Sequence, residues 1–265
     1  MSDAVLYEVD DHVAVITLNR PDRLNAWNDA IHRGYFDSLD RAAADPDVRV
    51  IVVTGAGRGF CAGADMNVLQ GIGEGRGAEE TSGEPDLRDA RHAMSIPKLV
   101  IAAVNGAAAG LGLVHAMAAD MRFAAEGAKF TVAFSRRGLV AEHGLSWTLP
   151  RLVGQAVAMD LIVSGRVILA EEAKELGLVN RVSAPDALME ETLAYAKDVA
   201  ANVSPMSMAI MKHQVYEHPL MSLDDAMDES NRLMRESLRR PDFKEGVASF
   251  VEKRPPQFAP FSGMP

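Results

Sequence analysis

Gly57-Arg58-Gly59-Phe60-Cys61-Ala62-Gly63-Ala64-Asp65 is a loop of mostly small residues that directly follows the run Val48-Arg49-Val50-Ile51-Val52-Val53. A buried strand that empties into such a loop lets backbone N–H groups approach a ligand closely, because little side chain stands in the way. Donors held there could stabilise negative charge on a carbonyl oxygen. Asn105-Gly106-Ala107-Ala108-Ala109-Gly110-Leu111-Gly112 repeats the arrangement: it follows the apolar run Leu99 to Val104 and leads into an expected helix. Two such loops at the carboxyl ends of parallel strands could supply two converging donors, and a helix N-terminus there would add its dipole.

Taken alone, the first loop has other readings. Gly57 to Ala62 fits the loose dinucleotide spacing G-x-G-x-x-A after a strand. Against this, Gly63-Ala64-Asp65 prolongs the loop instead of opening a helix, and no strand ending in an acid follows at the expected distance. A nucleoside-triphosphate loop is excluded because no G-K-[ST] is present. A tight surface turn is the plain structural alternative.

The elements that must position these loops follow from periodicity. Val5 to Val9 and His12 to Leu18 alternate as two strands, with Asp10-Asp11 as the turn. A helix is expected from Asn25, through Ala26, Ile31, Phe36 and Leu39, to about Ala44. Val48 to Val53 and Leu99 to Val104 read as buried parallel strands, with Met121 to Ala124 and Phe130 to Thr131 as weaker ones. The order predicts an α/β fold with crossover connections. Gly71 to Asp86 is rich in glycine and acids, and reads as a surface loop. From about Gln155 the chain reads as helical, with periodic segments Thr192 to Ala201, Met206 to Tyr216 and Leu223 to Leu238. The expected organisation is an α/β core over residues 1–190 and a helical C-terminal region over 191–265.

Composition narrows the class. The 265 residues are 48% hydrophobic and 24% charged, ordinary for a globular protein with a sizeable core. A formal charge of −10 argues against nucleic acid as the main partner, though not against a phosphorylated small molecule. Cys61 is the only cysteine, which fits a reducing compartment. Met1 to Asp11 lacks the pattern of a signal peptide. The longest apolar stretch, Leu99 to Ala119, is interrupted by Asn105, Gly106, Gly110, Gly112 and His115. A cytoplasmic protein with no membrane or nucleic-acid partner is expected. No cluster has metal-ligand spacing, and His213 and His218 are too isolated to suggest one.

With both loops in view, the chain resembles the crotonase superfamily, the enoyl-CoA hydratase/isomerase family, over nearly its whole length. Asn19-Arg20-Pro21 with Leu24-Asn25-Ala26 resembles its N-terminal signature, and Gly59 to Asp65 its first oxyanion loop. Asn105 to Gly112, with Asp120 beyond, resembles the second. Ser164-Gly165-Arg166, followed by Ala170, Ala173 and Gly177-Leu178-Val179, is similar to its late helical motif. Asp242 to Gly246 and Phe250 to Arg254 resemble its C-terminal signature. Each piece is modestly specific; all of them in order are very specific.

The resemblance implies a crotonase (ClpP-like) fold of repeated ββα units with a C-terminal trimerisation region, and a homotrimer or a hexamer made of two trimers. It implies an acyl-CoA thioester as ligand, with coenzyme A part of the substrate and no separate cofactor. By motif match, the N–H groups of Ala64 and Leu111 form the oxyanion hole. Leu111 stands where glycine is more usual, so its side chain should narrow the pocket. Arg23, Ala26, Ala62, Asp65 and Met66 are expected along the CoA path. Lys253 is expected at the nucleotide end of CoA, of its own or a neighbouring subunit. Solvated surface charge is the alternative for Arg23 and Lys253, and a helix N-cap role for Asp65.

The chain departs from the family's hydratases at the two glutamates that hold water: the matching positions are Val114 and Phe134. Neither side chain moves a proton, and both dry the pocket. Glu142 matches a position where isomerase and related branches carry an acid. In apolar surroundings such a carboxyl suits proton transfer near neutral pH. Capping the helix after Gly144, or facing water, is its alternative. His143 is a second candidate acid/base group, an orienting group or a pocket wall. Val114, Phe134 and Trp147 are expected around the acyl group, with His92 and Met94 as further tunnel candidates. His115 is expected to be packed or between subunits. The implied reaction is isomerisation of a Δ3 to a Δ2 enoyl-CoA with Glu142 as acid and base. The alternatives are hydration of a 2-enoyl-CoA by Glu142 and His143, and acyl-CoA binding without catalysis.

Overall fold

Asp11 and His12 both take left-handed backbone angles, φ 45 and 65, the geometry of a two-residue hairpin turn. They join β1 (Val5–Asp10) to β2 (Val13–Leu18). The turn thus sits one residue later than the sequence suggests. A computed structural model describes residues 4–73 and 86–263. In it β2 pairs in parallel with β3 (Val50–Gly55), β3 with β5 (Leu99–Val104), β5 with β7 (Met121–Ala125), and β7 with β10 (Arg181–Ser183). Together with β1 they form a six-stranded sheet in the order β1-β2-β3-β5-β7-β10. Every residue of β3 is buried, which is why Val48 to Val53 shows no alternation.

The two small-residue loops are themselves short strands. β4 (Gly59–Cys61) and β6 (Ala107–Ala109) pair in parallel, β6 pairs with β8 (Lys129–Thr131), and β9 (Ile168–Leu169) closes a second, four-stranded sheet. Three residues, Gly-Phe-Cys in β4 and Ala-Ala-Ala in β6, carry too little pattern to announce a strand; close packing of the main chain makes them one. The stretch after Gln155, expected to be helical, therefore also supplies β9 and β10.

The helices are α1 (Asp29–Ala44), α2 (Met66–Gly73), α3 (Arg91–Ser95), α4 (Leu111–Ala118), α5 (Leu145–Val153), α6 (Gln155–Ser164), α7 (Ala170–Glu175), α8 (Leu188–Asn202), α9 (Pro205–Glu217), α10 (Leu223–Ser237) and α11 (Pro241–Glu252). α1 starts four residues after Asn25, capped by the Asn28 side chain, which accepts from Ile31 N at 3.0 Å. Asn25 has a left-handed φ of 55 instead, because its buried amide is used elsewhere. α8 spans residue 190 and buries Leu188, Thr192, Ala196 and Ala200 at helical spacing against β2, β3 and β7. The loop expected over 71–86 falls mostly on residues 74–85, outside the described residues; Gly71 to Gly73 continue α2. The result is an α/β fold with mainly parallel sheets and a helical C-terminal region. Among the described residues, no helix is long and apolar enough to cross a membrane.

Candidate active site

The two loops are locked together through glycines. A Cβ on Gly112 would lie 2.1 Å from the Cys61 carbonyl, and one on Gly106 would lie 2.2 Å from that of Arg58. Gly63, at φ +96, lies so close that a Cβ would sit 2.8 Å from Ala109 O. Only bare backbone permits this approach. Two asparagines fasten the first loop. Asn25 Nδ2 donates to Gly59 O at 2.8 Å and Ala56 O at 3.0 Å, and its Oδ1 accepts from Arg20 N at 2.8 Å. Asn105 Nδ2 donates to Gly55 O at 2.8 Å and Gly57 O at 2.9 Å.

This packing orients the expected donors. Trp27 N donates to Gly63 O at 2.7 Å, and Asp65 N donates to Trp27 O at 2.9 Å. In this parallel bridge the intervening residue, Ala64, points its own N–H away from Trp27. Leu111 is the first residue of α4, so its N–H has no intrahelical acceptor. Gly110 before it takes φ 50 and ψ −118. Ala64 and Leu111 line one cavity of about 280 Å³. Ala62, Asp65, Met66, Arg23 and Ala26 line the same cavity, as do Phe134 and Glu142. Most of the expected site residues thus converge.

Asp65 is a helix cap: its Oδ1 accepts from Asn67 N at 3.1 Å, while Oδ2 accepts from Arg20 Nη2 at 2.8 Å. Burial pushes its carboxyl up, but the Arg20 and Asn67 hydrogen bonds and the charges of Arg20 and Arg23 outweigh burial and leave it below the ordinary value. Arg20 Nη1 also holds the Ala26 carbonyl at 2.6 Å. Cys61, within the loop, has its thiol pushed up to about 12 by burial, so it stays neutral.

Phe134 is turned into the cavity by Ala133, whose φ of 61 is spanned by a bond from Phe134 N to Val132 O at 2.9 Å. Its ring reaches 3.6 Å from where a Gly110 Cβ would stand. Glu142 follows a tight turn in which its N–H donates to Val140 O at 2.9 Å. His143 and Gly144 are left-handed, φ 53 and 75. The Glu142 side chain makes no cap to α5, whose N-cap is Gly144 with no side-chain bond. Glu142 Oε2 lies 3.8 Å from His143 Nε2, each side chain 40% exposed. The carboxylate is therefore at the cavity rim, wetter than its apolar neighbours in sequence suggest.

A second cavity of about 470 Å³ is lined by Val114, His143 and Trp147, with Met94, Tyr216 and Leu220. The consecutive residues Glu142 and His143 line one cavity each. His92 takes no part in it: its Nε2 lies 2.6 Å from Asp40 Oδ1. His115 is packed, stacked on Trp27. Lys253 is the C-cap of α11 and lines neither cavity. His213 and His218 are not isolated; they lie 3.6 and 3.3 Å from the Glu229 carboxylate. No metal-binding group of side chains occurs among the described residues. Sequence reasoning missed Arg137 and Leu139 as cavity residues, since a charged and an apolar residue in a loop carry no pattern. It also missed Asn25, Asn105 and Trp27 as supports, whose roles appear only through main-chain partners distant in sequence.

Similarity to known proteins agrees with this geometry. A profile of the enoyl-CoA hydratase/isomerase family matches residues 8–260. The chain is 36% identical to the 1,2-epoxyphenylacetyl-CoA isomerase of Escherichia coli over 267 residues, covering 97% of this chain and 99% of the relative. It is 36% identical to the (E)-benzylidenesuccinyl-CoA hydratase of Thauera aromatica, covering 96% and 98%. The solved enoyl-CoA hydratase of Bacillus anthracis superposes with a TM-score of 0.88 at 30% identity, covering 97% and 99%. The chain is an enzyme of the enoyl-CoA hydratase/isomerase family, the crotonases.

Proposed function

We propose that this enzyme moves a double bond in an enoyl-CoA thioester from C3 to C2. The Ala64 and Leu111 N–H groups receive the thioester oxygen. They stabilise the enolate formed when a proton leaves C2. Glu142 takes that proton and returns it at C4 as the electron pair shifts, so one carboxyl alternates as base and acid. Arg23 and Lys253 serve the CoA moiety, Lys253 from a neighbouring subunit. A trimer or a hexamer of two trimers is proposed, supported by exposed apolar side chains such as Phe250 and Val251 on α11.

One observation carries the reading. Among the described residues the cavity shared by Ala64 and Leu111 has two carboxylates, Asp65 and Glu142. Asp65 is committed to Arg20 and the α2 cap, which leaves Glu142 for proton transfer. Val114 and Phe134 stand where the water-holding glutamates would be. The apolar cavity lined by Val114 and Trp147 suits a bulky acyl group, in keeping with the ring-bearing substrate named for the E. coli relative.

Hydration is the second reading, favoured by His143 beside Glu142 at 3.8 Å, a second group able to carry a proton. Incubation with 2-enoyl-CoA and 3-enoyl-CoA separates the two. The isomerase converts the 3-enoyl ester to the 2-enoyl ester and adds no water. Formation of 3-hydroxyacyl-CoA from the 2-enoyl ester, with no interconversion of the two enoyl esters, would overturn it in favour of hydration.

A further inference from the structure

Trp27 and His115 stack face to face, ring centroids 3.9 Å apart and planes inclined by 9°. Both are buried. On one side, the Trp27 backbone brackets Ala64 through its bonds to Gly63 and Asp65. On the other, His115 sits one helical turn beyond Leu111 on α4. A single pair of rings therefore connects the backbones that carry the two oxyanion donors. Tyr35 braces both rings edge-on, with centroids 5.4 Å from Trp27 and 5.2 Å from His115. Phe36 meets His115 at 5.9 Å.

The choice of histidine is informative. Its Nδ1 is buried and has no hydrogen-bond partner among the described residues. An unpaired buried nitrogen costs stability, and an aliphatic side chain would fill the space without it. A flat ring, by contrast, can stack on an indole over its whole face. Burial holds the imidazole neutral, with its pKa down at about 3, so the stack is the same throughout the working range of pH.

We propose that Trp27 and His115 are positioning residues: their stack is a strut that sets the separation of the Ala64 and Leu111 N–H groups. This rests on the oxyanion-hole reading above. Displacing a reacting group by about 1 Å costs roughly 10²-fold in rate, so a side-chain pair that fixes donor spacing acts on kcat.

The test compares His115→Leu and Trp27→Leu, which remove the stack from either side, with His115→Phe, which keeps a flat ring. A conjugated aryl-enoyl-CoA serves as probe, since its absorption shifts to longer wavelength when donors polarise the thioester carbonyl. Free coenzyme A, which lacks that carbonyl, reports binding alone. The strut predicts that either leucine variant loses most of the red shift and at least about 10-fold in kcat. Coenzyme A affinity stays within about twofold of wild type, and His115→Phe recovers most of both losses. The double leucine variant is no slower than the worse single one, as for residues acting as a unit. Should either leucine variant fail to fold, Trp27→Phe provides the weakened stack, with a partial loss of the shift expected. A full red shift and unchanged kcat in the stack-deficient variants would overturn the strut. Absence of a red shift in the wild type would instead overturn the oxyanion-hole reading itself.

Discussion

Arg20 and Asp65, 45 residues apart in sequence, meet in a 2.8 Å ion pair directly beside Ala64, the first of the proposed backbone donors. The same guanidinium holds the Ala26 carbonyl, and the same carboxylate caps α2. The pair thus ties the entry of the chain into the site to the loop that supplies Ala64. Asp65→Ala removes both a cap and a charge-assisted bond. It should cost about 1–2 kcal/mol in a denaturant titration and lower kcat/KM for the thioester. Because the folded carboxyl lies below its ordinary 3.8, its contribution is present above that pH and fades as pH falls through the lower folded value.

His115 gives a pH dependence at higher pH. Its ordinary value is 6.5 and burial lowers it to about 3. Between these values the unfolded chain binds a proton that the folded one refuses, so stability falls as pH drops from about 6.5 toward 3, by at most about 1.4 kcal/mol per unit. His32, also lowered by burial, adds to the same trend. His115→Phe should flatten the slope in thermal or denaturant unfolding between pH 6.5 and 4, without removing the share due to His32.

Gly112 lies inside α4, where alanine would ordinarily be favoured by about 1 kcal/mol. Here the sign reverses, because the new Cβ would fall 2.1 Å from a backbone carbonyl of the facing loop. Gly112→Ala should destabilise by more than about 3 kcal/mol, beyond ordinary overpacking, and separate the two loops. Gly127→Ala, at φ +71 with open space around it, should cost only about 1 kcal/mol. Parallel denaturation curves decide the comparison.

The Lys212 side chain is only 8% exposed, and its Nζ donates to Asp120 Oδ2 at 2.8 Å and to the carbonyls of Lys98 and Ala93. Asp120 also accepts from Tyr216, a wall of the apolar cavity, at 2.8 Å. Lys212→Met leaves the carboxylate without its cation and should cost about 3–5 kcal/mol. An acyl chain that reaches Tyr216 would then bind more weakly, which titration with esters of increasing length would reveal.

Legibility in the sequence followed pattern strength. β3 and β5 were readable because fully buried parallel strands are unbroken apolar runs. The cavity residues Ala64, Leu111 and Glu142 were reached through motif order, and they do share one cavity. β4 and β6 were not readable as strands, since each is three residues long and they pair through main-chain fit. The Asn25 region misled because an asparagine before an apolar periodic stretch resembles a cap, yet its amide holds Ala56 and Gly59. The Trp27–His115 stack was invisible for a similar reason: its rings are far apart in sequence and meet only once both loops are placed.

In the proposed reaction Glu142 moves the C2 proton of a thioester whose oxygen rests on Ala64 and Leu111. The most direct test is deuterium exchange at C2 of a 3-enoyl-CoA in heavy water, comparing wild type with Glu142→Gln. The wild type should exchange C2 hydrogen as it isomerises the ester. The variant should bind the ester with similar affinity and exchange at least about 10²-fold more slowly. Exchange at the wild-type rate in Glu142→Gln would contradict the account.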